Sequence, residues 1–155
     1  MTLDPKVLMD VVEQCSRIKA NIVSRDEKED AGLRTILNYG HTVGHAIEAA
    51  SEYEEYNHGE AVALGMRIAA DISLQMKFSK EDAVRSLNDI LTRAGLPEKI
   101  KGISLDQILD RMKHDKKFKA GHNRFVLMSG IGSVKVKENI DINIIRSAIA
   151  KFIEA

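Results

Sequence analysis

"HGEAVALGMRIAADISLQM", residues 58–76, is apolar around most of its circumference when wound as a helix. Ala61, Leu64, Ile68 and Ile72 fall on one face, Val62, Met66 and Ala69 on another, and Glu60 sits near the start, where an acid suits the helix dipole. A long, central helix is expected here. Upstream, "LDPKVLMDVVEQCSRIKANIV" (3–23) pairs Asp4 as an N-cap with Pro5 at the first helical position. Leu8, Val11, Val12, Cys15, Ile18 and Ile22 then recur at helical spacing. "SRDEKEDAG" (24–32) is too polar for a core and reads as a solvated turn ending in Gly32.

Downstream, Ser79 with Asp82 and Ser104 with Gln107 have the spacing of a capping box or a close variant. They would open helices over "KEDAVRSLNDILTRA" (80–94) and "LDQILDRMK" (105–113), with Gly95 and Pro97 ending the first. "RFVLMSGIGSVKVKE" (124–138) reads as two short strands joined by a glycine-containing turn, and Asp141 caps a last helix, "INIIRSAIAKFIE" (142–154). The expected fold class is mainly α: a single compact helical domain over 1–155 with one short β-hairpin.

At 155 residues and 44% hydrophobic composition, the chain suffices for one such domain. Lysine plus arginine balance the acids at 23 each, so no net field draws nucleic acid or an anionic membrane, and an anionic ligand must be held by locally placed cations. Cys15 is the one cysteine and cannot form an internal disulfide. No N-terminal apolar run resembles a signal peptide or a membrane span, so a reducing, cytoplasmic location is expected.

Three of the five histidines lie in "LRTILNYGHTVGHAIEAASEYEEYNHGEAVALGM" (33–66). His41 and His45 are one helical turn apart and share a face, and His58 follows at the mouth of the next helix. Histidines at this spacing are often just half-exposed polar residues. Here Gly40, Gly44, Gly59 and Gly65 lie in or beside helical pattern, at up to about 1 kcal/mol each against alanine, which favours close backbone approach or a ligand. Imidazole is a common ligand of zinc and similar ions, and catalytic zinc sites typically use three protein ligands. Thr42 stands where the H-E-x-x-H metalloproteases keep their glutamate, so peptidase chemistry is not indicated.

"GLRTILNYGHTVGHAIE" (32–48), "HGEAVALGM" (58–66) and "HDKKFKAGHNRFVLMSGIG" (114–132) occur in that order, and together the chain closely resembles the C-terminal domain of the 3-dehydroquinate synthase family. The resemblance covers nearly the whole chain. It implies a part of a metal- and NAD-dependent lyase of the shikimate pathway, the route to aromatic amino acids. Such an enzyme turns the sugar phosphate 3-deoxy-arabino-heptulosonate 7-phosphate into 3-dehydroquinate and phosphate. By motif position, His41 and His58 match the family's two histidine ligands for zinc or cobalt, and His45 matches a catalytic proton relay. Arg34, Asn38, Lys19 and Lys116 match substrate-binding positions, with Lys117 an adjacent competitor for Lys116; a guanidinium fork suits an anion and an amide suits hydroxyls. His114 and His122 match no ligand position and are read as structural.

Family members are about twice this length, with an N-terminal NAD-binding domain. Neither its glycine-rich phosphate-binding segment nor the family's third metal ligand, a glutamate, has a counterpart here. The chain therefore reads as an isolated C-terminal domain that needs the N-terminal NAD-binding domain as a partner and is inactive alone. Neither nucleic acid nor membrane is implied as a partner, and association as a homodimer stays open. Two alternatives stay open as well: a domain of a related sugar-phosphate cyclase such as 2-deoxy-scyllo-inosose synthase, and a noncatalytic helical metal-binding or interaction module.

Overall fold

In the structure, a computed structural model that describes residues 4–28, 32–52, 55–114 and 123–154, Asp4 caps α1 (Pro5–Arg25) by accepting the Lys6 amide at 2.9 Å. The chain falls into two compact units, residues 1–37 and 38–155. In the first unit, α1 has no buried residue, and Val7, Met9, Val12 and Ile18 are each more than half exposed. In the polar stretch at and after its end Ser24, Arg25, Glu27 and Lys28 are exposed, as expected of a solvated turn, and Asp26 is the buried exception among the described residues. Asp26 is 5% exposed, and its carboxylate accepts the amide of Arg34, in the first turn of the 3-10 helix Leu33–Asn38, at 3.2 Å, which satisfies a backbone donor there.

The second unit holds α2 (His41–Ala50), α3 (His58–Gln75), α4 (Glu81–Arg93), α5 (Leu105–His114), the strands β1 (Arg124–Gly130) and β2 (Ser133–Glu138), and α6 (Ile142–Ala150). The apolar run from His58 to Gln75 is the central helix: α3 packs against α2, α4, β1 and α6. Leu64, Ile68 and Ile72 of α3 join Ile47 of α2, Phe125 and Leu127 of β1, and Ile145 and Ile149 of α6 in the main core. The strands pair antiparallel with Val126 opposite Val136, and the register slips between Met128 and Gly130 at the turn. Ile100 and Ile153 form an isolated parallel bridge, with the Ile100 amide on the Phe152 carbonyl at 2.7 Å and the Glu154 amide on the Ile100 carbonyl at 2.8 Å.

Buried polar groups reinforce this frame. Arg67, 3% exposed on α3, donates to the Pro97 carbonyl at 3.1 Å, to the Asn88 carbonyl and side-chain oxygens at 3.2 Å, and to the Thr92 hydroxyl at 3.0 Å. Burial lowers its pKa, with Glu98 nearby acting in the opposite direction. Asn123 bonds both backbone polar groups of Ile140, clamping the open end of the hairpin.

Of the two expected capping boxes, one forms and the other does not. Ser104 and Gln107 make reciprocal bonds at the start of α5, and Asp141 caps α6 through the Asn143 amide. Ser79 is instead buried, because its own amide and that of Phe78 turn inward onto the Ser73 carbonyl at 3.3 and 2.8 Å. Lys80 becomes the N-cap of α4, without a side-chain bond, and the Ser79 hydroxyl has no hydrogen-bond partner among the described residues.

Candidate functional site

The site is set by how closely α2 and α3 approach. Gly40 precedes α2 with φ +82°, a left-handed conformation that glycine adopts without strain. A β-carbon at Gly44 would meet the Val62 α-carbon at 3.0 Å. The glycines expected beside a ligand thus divide: Gly40, Gly44 and Gly65 serve helix contact, while a β-carbon at Gly59 would meet only the Asn57 side chain, at 3.4 Å. Asn57 and Glu60 form a reciprocal capping box that fixes the start of α3 and so the position of His58.

This packing brings three imidazoles together. Ring centroids lie 5.3 Å apart for His41 and His45, 5.4 Å for His41 and His58, and 5.9 Å for His45 and His58. His41 is half-buried, whereas His45 and His58 are exposed. The Nδ1 of His41 lies 3.2 Å from the Tyr39 carbonyl, which can only accept, so Nδ1 carries a proton, and in the neutral ring the lone pair falls on Nε2. The Nδ1 of His58 lies 3.1 and 3.2 Å from the two carboxylate oxygens of Glu48 and donates to them, which in the neutral ring again places the lone pair on Nε2. Histidines that ligate metal usually have their other ring nitrogen held in this way. The donor set therefore fits a divalent ion of the zinc class. Tyr39, whose carbonyl orients His41, donates its hydroxyl to the Met66 carbonyl at 3.1 Å, and burial raises its pKa above the usual phenol range.

Glu48 escaped the sequence reading. It is buried on α2, and one ligand atom each from His45, Glu48 and His58 lie within 4.8 Å of one another. The available signal was its position in "HAIEAA", an acid inside an apolar helix stretch one turn beyond His45. His45 also lines a cleft of about 290 Å³ with Thr42, Arg111 and His114. His114, read as structural, thus shares that cleft and lies 3.7 Å from Asp110.

Asn38 is half-buried at the end of the 3-10 turn. In the first unit, Arg34 is half-buried, its guanidinium donating to the Glu27 carbonyl at 3.4 Å, and Lys19 is exposed on α1. Lys116, Lys117 and His122 lie outside the described residues. No helix among the described residues is long and apolar enough to cross a membrane.

The model of the 3-dehydroquinate synthase C-terminal family matches residues 1–118. The 3-dehydroquinate synthase of Acaryochloris marina is 42% identical over 149 residues, covering 95% of this chain and 40% of that protein. That of Syntrophotalea carbinolica is 47% identical over 135 residues, covering 87% and 37%. The chain thus spans about two-fifths of the length of the curated relatives it matches. Among solved structures, 2-deoxy-scyllo-inosose synthase complexed with carbaglucose-6-phosphate, NAD+ and Co2+ superposes with a TM-score of 0.82 at 28% identity, over 97% of this chain and 44% of that one. The 2-epi-5-epi-valiolone synthase of Streptomyces hygroscopicus, with NAD+ and Zn2+ bound, gives 0.81 over 96% and 41%; at 18% identity this likeness concerns the fold alone. With a family model matched over residues 1–118, well over half of its length, this chain belongs to the 3-dehydroquinate synthase C-terminal family.

Proposed function

We propose that residues 1–155 act as the metal- and substrate-binding domain of a 3-dehydroquinate synthase, working beside an NAD-binding domain to convert 3-deoxy-arabino-heptulosonate 7-phosphate into 3-dehydroquinate and phosphate. One observation carries this most directly: the Nδ1 of His41 and the Nδ1 of His58 each lie against a protein acceptor, with the two ring centroids 5.4 Å apart. Both would hold the ion, zinc or cobalt, which when bound supplies a Lewis acid to the hydroxyl that the nicotinamide oxidises. His45, exposed and one turn from His41, exchanges the proton of a substrate hydroxyl. Arg34, Lys19 and Lys116 bind the substrate's anionic groups and Asn38 its hydroxyls. Holding the flexible sugar phosphate in one conformation is a large part of the work. The proposal includes a cytoplasmic setting, where the exposed Cys15 thiol stays reduced, and a homodimer, which sedimentation would detect.

The test is reconstitution. The chain alone should release no phosphate from the heptulosonate phosphate with NAD and zinc, and adding the NAD-binding half of a close relative should start turnover and tighten zinc binding. Phosphate release by the chain alone, or a reconstituted pair whose zinc affinity ignores both His41→Ala and His58→Ala, would overturn the proposal. The fit to 2-deoxy-scyllo-inosose synthase favours a second reading, a related cyclase acting on a hexose 6-phosphate. Supplying both sugar phosphates to the same pair separates the two.

A further inference from the structure

We propose that Glu48 is a positioning residue: its buried carboxylate holds His58 as the Nδ1–H tautomer and aims Nε2 at the metal.

The capping box fixes the backbone of His58, and Glu48 bonds its ring. Its side chain is 59% exposed on the first turn of α3, whereas that of Glu48 is 12% exposed and both its oxygens lie at 3.1 to 3.2 Å from the same ring nitrogen. A carboxylate buried among the apolar residues of α2 carries a desolvation cost that persists only where the group is bonded, and the His58 ring N–H supplies that bond. The bond joins two helices whose glycines set their separation, so the acceptor has a fixed place relative to the ring.

Glu48 is also close enough to His45 and His58 to be a ligand itself. The ring geometry decides against that role for an ion held through Nε2 of His58. The carboxylate lies at the Nδ1 edge of the ring, and Nδ1 and Nε2 point away from one another, so an ion on Nε2 stands on the far side of the imidazole from Glu48.

This rests on the metal reading above, and the experiment separates the two. Nitrogen-15 spectra of the histidine-labelled, metal-free chain, recorded above about pH 8 where free imidazole is neutral, report the tautomer of each ring. His58 is assigned by the signal lost in His58→Ala. The native chain should show His58 mostly as Nδ1–H, and Glu48→Ala should restore the mixture seen for free imidazole. In the reconstituted pair, Glu48→Ala should weaken zinc binding about 10- to 100-fold, in line with lost outer-shell partners elsewhere. Glu48→Gln keeps an acceptor oxygen without the charge. It should retain the tautomer and most of the affinity, whereas a ligating carboxylate would lose affinity with Gln as much as with Ala. A His58 tautomer unmoved by Glu48→Ala in a chain with native circular dichroism, or Gln behaving as Ala, overturns the proposal. A native pair that shows the Nδ1–H tautomer and binds no zinc overturns the metal reading, and with it the purpose assigned to Glu48.

Discussion

A β-carbon on Gly65 would lie 2.0 Å from the carbonyl oxygen of Gly40, inside any permissible contact. The amide of Gly44 would be only 2.8 Å away, so α3 at this point touches the backbone of α2 directly. His41 and His45 ride on one side of that contact and His58 on the other.

Gly65→Ala must therefore part the two helices, and overpacking of this kind typically costs about 1–3 kcal/mol or more. Urea unfolding should show that loss. Gly59→Ala, which meets only a side-chain oxygen at 3.4 Å, should be neutral or gain up to about 1 kcal/mol in helix propensity. Equal effects of the two substitutions would contradict the packing account.

Arg67→Lys should be costly despite keeping the charge. A single ammonium cannot reproduce a guanidinium fork that serves Pro97, Asn88 and Thr92 together, and each buried acceptor left unpaired costs about 1–3 kcal/mol. The expected readout is a lower midpoint in denaturant with an unchanged slope.

Asn123→Asp should make stability depend on pH. At neutral pH the ionised side chain cannot donate to the Ile140 carbonyl and carries a buried charge, so the folded state favours its protonated form and raises its pKa. A folded pKa above the unfolded value of about 4 gives stability that is present below that value and lost as pH rises. The variant should melt closest to the native protein in acid and fall behind towards neutrality. A difference that stays constant with pH would rule this out.

Within the reconstituted pair, His45→Ala should leave zinc affinity nearly intact and lower kcat by about 10²–10⁴-fold, the usual scale of a lost proton-transfer group. His41→Ala and His58→Ala should lose zinc first. If His45→Ala abolishes binding instead, the ligand set is His45, Glu48 and His58, and the roles assigned to His41 and His45 exchange.

The elements whose ends are written in local chemistry were legible. Asp4 before Pro5, Ser104 with Gln107, and Asp141 all cap as their spacing predicts, since a cap needs only neighbours in sequence. Ser79 has the same local signature and fails, because tertiary packing buried it before it could serve α4. The same division runs through the site. His41 and His45 lie one turn apart on one helix, a relation that spacing alone gives, while the approach of His58 depends on glycine contacts between two helices. Glu48 stayed hidden for a related reason: an acid on a helix is usually solvated, and only its burial beneath His58 marks it out.

The bridge between Ile100 and Ile153 bears on the order of events during synthesis. Ile100 is fully buried, yet its amide and carbonyl find their partners only in Phe152 and Glu154, more than fifty residues later. At roughly 5–20 residues per second, a ribosome needs about 3–10 s to add that stretch. Throughout this interval the nascent chain carries an apolar residue with an unpaired backbone and, until α6 emerges, lacks Ile145 and Ile149 from the main core. Protection of the emerging polypeptide against protease should therefore arrive late, once Phe152 and Glu154 have emerged to pair with Ile100.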